Sequence, residues 1–176
     1  ATAVFEGADA VMLSGESAVG VNPELAVKMM KNIALSAERN PNYNSILSAQ
    51  LEETPDSTPD AIATAASTLA TELNSPMIIC YTQSGSTGIK VSRVRPQQLI
   101  LTVTPIIKTA RKLSLVWGAK CLVQKDASDL EEMIKITNVY SKKEKLTSVG
   151  DKIVITAGLP LKKPGTTNLL RVVKVS

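Results

Sequence analysis

The sequence predicts an α/β protein built on a mostly parallel sheet, and three observations carry that reading. Apolar runs of strand length stand at residues 77–81, 99–103, 119–123 and 152–157. Segments of helical period at 89–94, 106–113 and 130–140 fall between them, which is the alternation of βαβ units whose helices cover both faces of a sheet. The last run, "TTNLLRVVKV", follows the fourth strand after only "GLPLKKPG". That turn is too short for a crossover helix, so the fifth strand runs antiparallel.

The elements follow in chain order. "GADAVMLSGES" opens with an apolar run at 8–13, broken only by Asp9, and stops at a Ser-Gly turn; it reads as a buried strand. "VNPELAVKMMKNIALSAERN" places Asn22 as N-cap, Pro23 at the first helical position and Glu24 in the first turn. Ala26, Met29, Met30, Ile33 and Ala37 recur at helical spacing, and the pattern ends at Asn40-Pro41. From 41 to 58 the chain is polar, carries Pro41 and Pro55, and lacks a sustained period, so a linker or boundary is expected there. The next helix is capped by Thr58 and opened by Pro59, with Ile62, Ala65, Ala66, Leu69 and Leu73 on one face.

Composition narrows the chemistry. Apolar residues at 44% and charged ones at 20% place the chain in the globular range. No apolar run approaches the roughly 20 residues that span a bilayer, and no basic-then-apolar leader opens the chain, so a soluble, cytoplasmic protein is expected. A net charge of +4 without a basic stripe, and aromatics at 3%, argue against a nucleic-acid partner. Histidine is absent, which removes imidazole bases, Ser-His and Cys-His nucleophiles and histidine metal sites. Asp9, Glu16, Asp126 and Asp129 lack the spacing of a calcium loop or an acid/base pair, and each reads as a cap or solvated charge. "SKKEK" at 141–145 reads as an exposed helix end. Cys80 and Cys121 sit inside apolar runs and read as buried, inert thiols.

The turn "TQSGSTG" at 82–88 ends the first strand and leads into a helix. In open α/β sheets ligands bind beyond the carboxyl ends of strands, where the strand order reverses. Gly85 and Gly88 allow close backbone approach, while Thr82, Ser84, Ser86 and Thr87 supply hydroxyls beside the N–H groups of a helix N-terminus. The pattern matches neither the dinucleotide glycine motif nor the Walker motif, and small polar residues fill most such turns. The residues alone therefore leave a structural turn and an anion site both open. "GSTG" also fits the G-x-x-G of KH nucleic-acid domains, but there the loop joins two helices.

"GADAVMLSGESAVG", "TQSGSTG…VSRVRP" and "GDKIVITAGLPLKKPGTTNLLRVV" resemble three segments of the pyruvate kinase family, in the same order and at suitable spacing. The resemblance implies that residues 1–40 correspond to the last strand and helix of the catalytic (β/α)8 barrel, 41–58 to a linker, and 59–176 to the C-terminal α/β domain. For that domain it implies three α/β/α layers and a five-stranded sheet of order 3-2-1-4-5, strand 5 antiparallel. Cys80 and Cys121 would then lie two strands apart, out of disulfide reach.

The implied reaction of the parent enzyme is phosphoryl transfer from phosphoenolpyruvate to ADP, giving pyruvate and ATP, with Mg2+ and K+. Its catalytic and metal-binding residues match nothing in this chain, so no catalytic or metal residue is assigned here. The resemblance also implies an effector phosphate site at Thr82, Gln83, Ser84, Gly85, Ser86 and Thr87, with Lys162 and Lys163 of "LKKPG" across the same crevice. The segment "ASDLEEMIKI" lacks the tryptophan and arginine that hold a second phosphate in some members, and Glu131 and Glu132 would repel one. A monophosphate, either a sugar phosphate or a nucleotide such as AMP, is the expected effector. The implied assembly is a homotetramer using contacts between C-terminal domains, with the fifth strand as an apolar edge. An alternative is a free-standing phosphate-binding domain of the same fold.

Overall fold

The computed structural model describes residues 1–50, 57–161 and 166–176. The chain divides into two compact units, Ala1–Thr54 and Pro55–Ser176, and the division falls inside the segment read as a linker.

The first unit is helical: α1 (Thr2–Phe5), α2 (Gly15–Ala18), α3 (Pro23–Glu38) and α4 (Tyr43–Gln50). Helix α3 starts where expected, with Asn22 at the N-cap and proline in the first turn. Val4, Ala37, Tyr43 and Leu47 form a small core, with Phe5 edge-on to Tyr43 at 6.0 Å between ring centroids. Helix α4 lies within the expected linker. Its apolar positions are too few for a period to stand out in sequence, yet Tyr43 and Leu47, one turn apart, both reach the core. Residues 8–13, read as a buried strand, pair with no other strand among the described residues, and Met12 is 88% exposed. A strand needs a neighbour to satisfy its backbone, and the described residues offer this run none.

The second unit is the expected α/β/α sandwich. Helix α5 (Thr58–Glu72) precedes β1 (Met77–Tyr81), α6 (Ser86–Arg93), β2 (Leu99–Thr104), α7 (Ile107–Leu113), β3 (Ala119–Val123), α8 (Leu130–Lys143), β4 (Lys152–Gly158) and β5 (Thr167–Lys174). The sheet order is β3-β2-β1-β4-β5; β1 pairs in parallel with β2 and β4, β2 with β3, and β5 is antiparallel to β4.

Because side chains alternate along a strand, β1, β2 and β4 each feed two cores. Met77 and Ile79 join Leu101, Val103, Ile153, Ile155 and Met133 of α8 on one face. Ile78 and Cys80 join Ile100, Val154, Val91 of α6 and the alanines of α5 on the other. This double burial is why these three strands read as continuous apolar runs.

Helix α5 is rotated from the expected face. Ser57 is its N-cap, and its buried alanines are Ala63, Ala66 and Ala70, with Ala65 exposed. Asp60 ties α5 to α6: its carboxylate accepts from Lys90 Nζ at 2.5 Å and from Ser57 Oγ. These two bonds, Lys90 first, hold the Asp60 carboxyl below its ordinary value.

Both cysteines are unpaired, and their registers place them two strands apart through Thr102. Cys80 is buried, which pushes its thiol pKa upward. Cys121 is only half-buried, a correction to the expectation of two buried thiols; it lies on the edge strand β3 and accepts from Thr102 Oγ1 at 2.9 Å. At the opposite edge, β5 is less apolar outside than its sequence suggests. Val173 is buried, Leu169 and Leu170 pack against the two cores, and Val172 at 36% is the one large apolar side chain of β5 among the exposed ones.

Candidate functional site

A cleft opens beyond the carboxyl ends of β1 and β4, where neighbouring strands carry the chain in opposite directions across the sheet, the position at which open α/β sheets bind ligands. Its walls come from three connections: Thr82, Gln83, Ser84, Ser86 and Thr87 after β1, Asp126 and Ala127 after β3, and Gly158, Leu161, Thr166 and Thr167 around the β4–β5 connection. The volume is about 50 Å3. A single water needs roughly 10–15 Å3 by the same measure, so the space suits a phosphate-sized group at an open mouth, not an enclosed metabolite.

The turn is built by its own side chains. Thr82 continues the β1 ladder, its N–H donating to the carbonyl of Val103 at 3.0 Å. Its hydroxyl then accepts from the N–H of Gly85 at 3.0 Å, closing a short loop. Gly85 sits at φ 91° as the N-cap of α6, a left-handed conformation that glycine adopts without the Cβ penalty. Ser84 Oγ donates to Ser86 Oγ at 3.1 Å. The first turn of α6 then leaves backbone N–H groups without partners inside the helix, and the helix dipole favours an anion there.

Gly88 serves packing. A Cβ on it would lie 2.6 Å from Thr102 Cγ2 of β2, so α6 rests directly on the sheet and holds its N-terminus at the cleft.

Thr87 and Thr167 are both almost fully buried at the base of the cleft, 4% and 3% exposed, and their hydroxyls share one hydrogen bond of 2.6 Å. Two hydroxyls carry two donor protons. Whichever oxygen donates in this pair, the other O–H has no acceptor among the described residues. Both hydroxyls line the cleft.

Gln83 bridges two connections. Its carbonyl accepts from Thr109 Oγ1 of α7 at 2.8 Å, and its Nε2 donates to Asp126 Oδ2 at 2.7 Å. Tyr81, also on the wall, donates its phenol to the carbonyl of Met133 at 2.7 Å and lies 3.1 Å from Thr137 Oγ1. Burial raises its pKa to about 12, so it acts as a fixed neutral donor.

The structure therefore brings Thr82, Gln83, Ser84, Ser86 and Thr87 to one cleft, with Gly85 as the hinge of their turn. Lys162 and Lys163 lie outside the described residues; Leu161 and Thr166, which bracket them in sequence, line the cleft. Sequence reasoning missed Asp126 as a wall residue and Thr167 altogether. It also gave the second-phosphate objection to Glu131 and Glu132, neither of which lines the cleft. Glu132 instead accepts from Ser128, and Asp129 caps α8 through the N–H of Glu132; the carboxylate on the wall is Asp126. Among the described residues no three Cys, Asp or Glu side chains come together as metal ligands, and no helix is long and apolar enough to cross a membrane.

Comparison with known proteins assigns the fold. Residues 60–173 match the family model described as "Pyruvate kinase, alpha/beta domain". The chain is 43% identical over its whole length to the pyruvate kinase of Methylorubrum extorquens and 40% identical over 171 residues to that of Staphylococcus haemolyticus. It spans 37% and 29% of the lengths of those two relatives. Among solved structures, Cryptosporidium parvum pyruvate kinase superposes with a TM-score of 0.84 at 30% identity, over 99% of this chain and 34% of that one. The same protein in complex with ADP gives a TM-score of 0.83 at 33% identity. With the β3-β2-β1-β4-β5 sheet, the family model and these relatives in agreement, the chain belongs to the pyruvate kinase family and carries its C-terminal α/β domain.

Proposed function

We propose that this chain is the regulatory and assembly part of a cytoplasmic pyruvate kinase, which transfers a phosphoryl group from phosphoenolpyruvate to ADP, and that its cleft binds the phosphate of an effector. The observation that supports the effector reading is the gathering of Thr82, Ser84, Ser86 and the hydrogen-bonded Thr87–Thr167 pair around the cleft, beside the first-turn amides of α6. A phosphate oxygen accepts from both kinds of donor at once. Thr82, Gln83, Ser84, Gly85, Ser86 and Thr87 form the donor turn in this reading, with Lys162 and Lys163 as the neutralising cations.

The Mg2+ and K+ of the family's reaction do not fit here. The carboxylates of the described residues are dispersed, and no step is assigned to a metal on this chain. The chain alone is expected not to form pyruvate from phosphoenolpyruvate and ADP, since phosphoryl transfer rests on positioned metal and cationic groups; turnover by the pure chain would contradict this.

For assembly, β5 is a sheet edge with unpaired backbone groups along it, and a twofold copy would satisfy both edges. A homotetrameric parent would use such contacts for one interface. Light scattering should give a dimer mass at high concentration; a monomer throughout would remove this part of the reading.

A thermal-shift series with phosphorylated metabolites tests the effector site. A ligand at about 100 times its dissociation constant adds roughly 2.7 kcal/mol of stability. A sugar or nucleoside monophosphate is expected to raise the melting temperature, and no shift with any of them would leave the cleft a structural turn.

A further inference from the structure

From Leu73 to Lys125 the chain carries no aspartate or glutamate; every charged residue in that stretch is a lysine or an arginine. The fold engages several of them. Lys90 is tied to Asp60 at 2.5 Å, Lys120 to Glu144 at 3.2 Å, and Arg95 lies over the Trp117 ring. On α7 it does not: Lys108, Arg111 and Lys112 are exposed, and no described carboxylate pairs with them.

Helix α7 buries Thr109, Ala110 and Leu113, which turns positions 107, 108, 111 and 112 outward. Leu115 stays in the following turn, its N–H donating to the carbonyl of Lys112 at 3.4 Å. Residues four apart stand one above the other, so Ile107, Arg111 and Leu115 form one outer ridge and Lys108 and Lys112 the next. Ile107 is 57% and Leu115 69% exposed. Like charges four apart work against a helix. In α3 the chain answers such a lysine with a carboxylate, Glu24 beside Lys28; α7 contains none.

Uncompensated cations and bare aliphatics on one short helix break local rules together, and such breaks belong to functional sites. The cations call for carboxylates and the aliphatics for an apolar cover. A lipid surface fits poorly, because Arg111 interrupts the ridge and leaves no continuous apolar face to enter acyl chains. Nucleic acid fits poorly as well, since the ridge has no aromatic ring on which a base could stack. A polypeptide supplies both chemistries at side-chain spacing.

We propose that the outer face of α7 docks an acidic amphipathic segment of a protein partner. Its carboxylates pair with Lys108, Arg111 and Lys112, and its aliphatic side chains cover Ile107 and Leu115. The surface is independent of the cleft and of the phosphate reading.

Fluorescence anisotropy on the whole chain tests this with a short labelled peptide carrying glutamate and leucine at helical spacing. Two control peptides have lysine for every glutamate or serine for every leucine. The wild type should bind the first at least about tenfold more tightly than either control, and added salt should weaken it. Arg111→Glu/Lys112→Glu should cost about tenfold or more, and Ile107→Ser about fivefold, with melting temperatures near wild type because these side chains are exposed. Should the double reversal lower the melting temperature, Lys112→Gln, which only removes a charge, must still weaken binding in the same direction. Lys31→Glu on α3 lowers the net charge elsewhere and should leave affinity within about twofold. Equal loss with Lys31→Glu, or no loss with the α7 variants, would overturn the proposal. So would a wild type that ignores the acidic peptide, and its capture instead by phosphatidylglycerol vesicles or duplex DNA would name the surface's true class of partner.

Discussion

Replacing Gly88 with alanine is expected to destabilise the α/β unit by about 1–3 kcal/mol, the usual cost of overpacking a filled core. The new Cβ would stand 2.6 Å from Thr102 Cγ2, and Thr102 cannot easily turn away. It is fully buried, and its hydroxyl is engaged with the carbonyl of Lys120 at 3.2 Å and Cys121 Sγ at 2.9 Å. Helix α6 must therefore lift from the sheet or the Thr102 rotamer must break its bonds. For a unit of this size the melting temperature should fall by roughly 5–10 °C. Thr102→Ser removes the offending methyl and keeps the hydroxyl, so the double variant Gly88→Ala/Thr102→Ser should recover most of the loss as a favourable coupling. A Gly88→Ala protein within about 0.5 kcal/mol of wild type in denaturant melts would show that α6 does not rest on β2 as described.

Thr87→Glu is expected to abolish binding of phosphorylated ligands. Two like charges about 4 Å apart repel by roughly 4 kcal/mol at an effective dielectric near 20, which corresponds to a loss of about a thousandfold. Thr87 is buried, however, and a carboxylate there also breaks its bond to Thr167, so this variant will lose stability as well as ligand. Ser84 separates the two effects. It is exposed on the turn, where a glutamate can be solvated, so Ser84→Glu should leave the melting temperature near wild type and still weaken binding by repulsion. Unchanged affinity in both variants, measured by titration of ribose 5-phosphate, would move the site away from this turn.

How much of this was legible in the sequence varies with range. Strands β1, β2 and β4 were readable because both sides of each are covered, β3, half-exposed at the sheet edge, from its place in the alternation, and the antiparallel β5 because its connection to β4 is short. Helix α4 was not, since a single core contact per turn, Tyr43 then Leu47, leaves no period against a polar background. Residues 8–13 carry the composition of a buried strand, but composition cannot supply the neighbour that a ladder requires. The face of α5 was misjudged because alanine is small enough to sit inside or outside. Ala63 and Ala65 look alike in sequence, and the close approach of α5 to the sheet buries the first. At the cleft, the donor turn was visible because its residues are contiguous. Asp126 and Thr167 were not, because their roles depend on Gln83 and Thr87, 43 and 80 residues away along the chain.

Whether the cleft at the start of α6 holds a phosphate is decided by a crystal structure of the chain grown with saturating ribose 5-phosphate. Phosphate density is expected within hydrogen-bonding distance of the backbone between Ser84 and Thr87, with the hydroxyl of Thr87 or Thr167 donating to it. Ribose 5-phosphate bound at another surface, or an empty cleft at a concentration that saturates binding in solution, would contradict it.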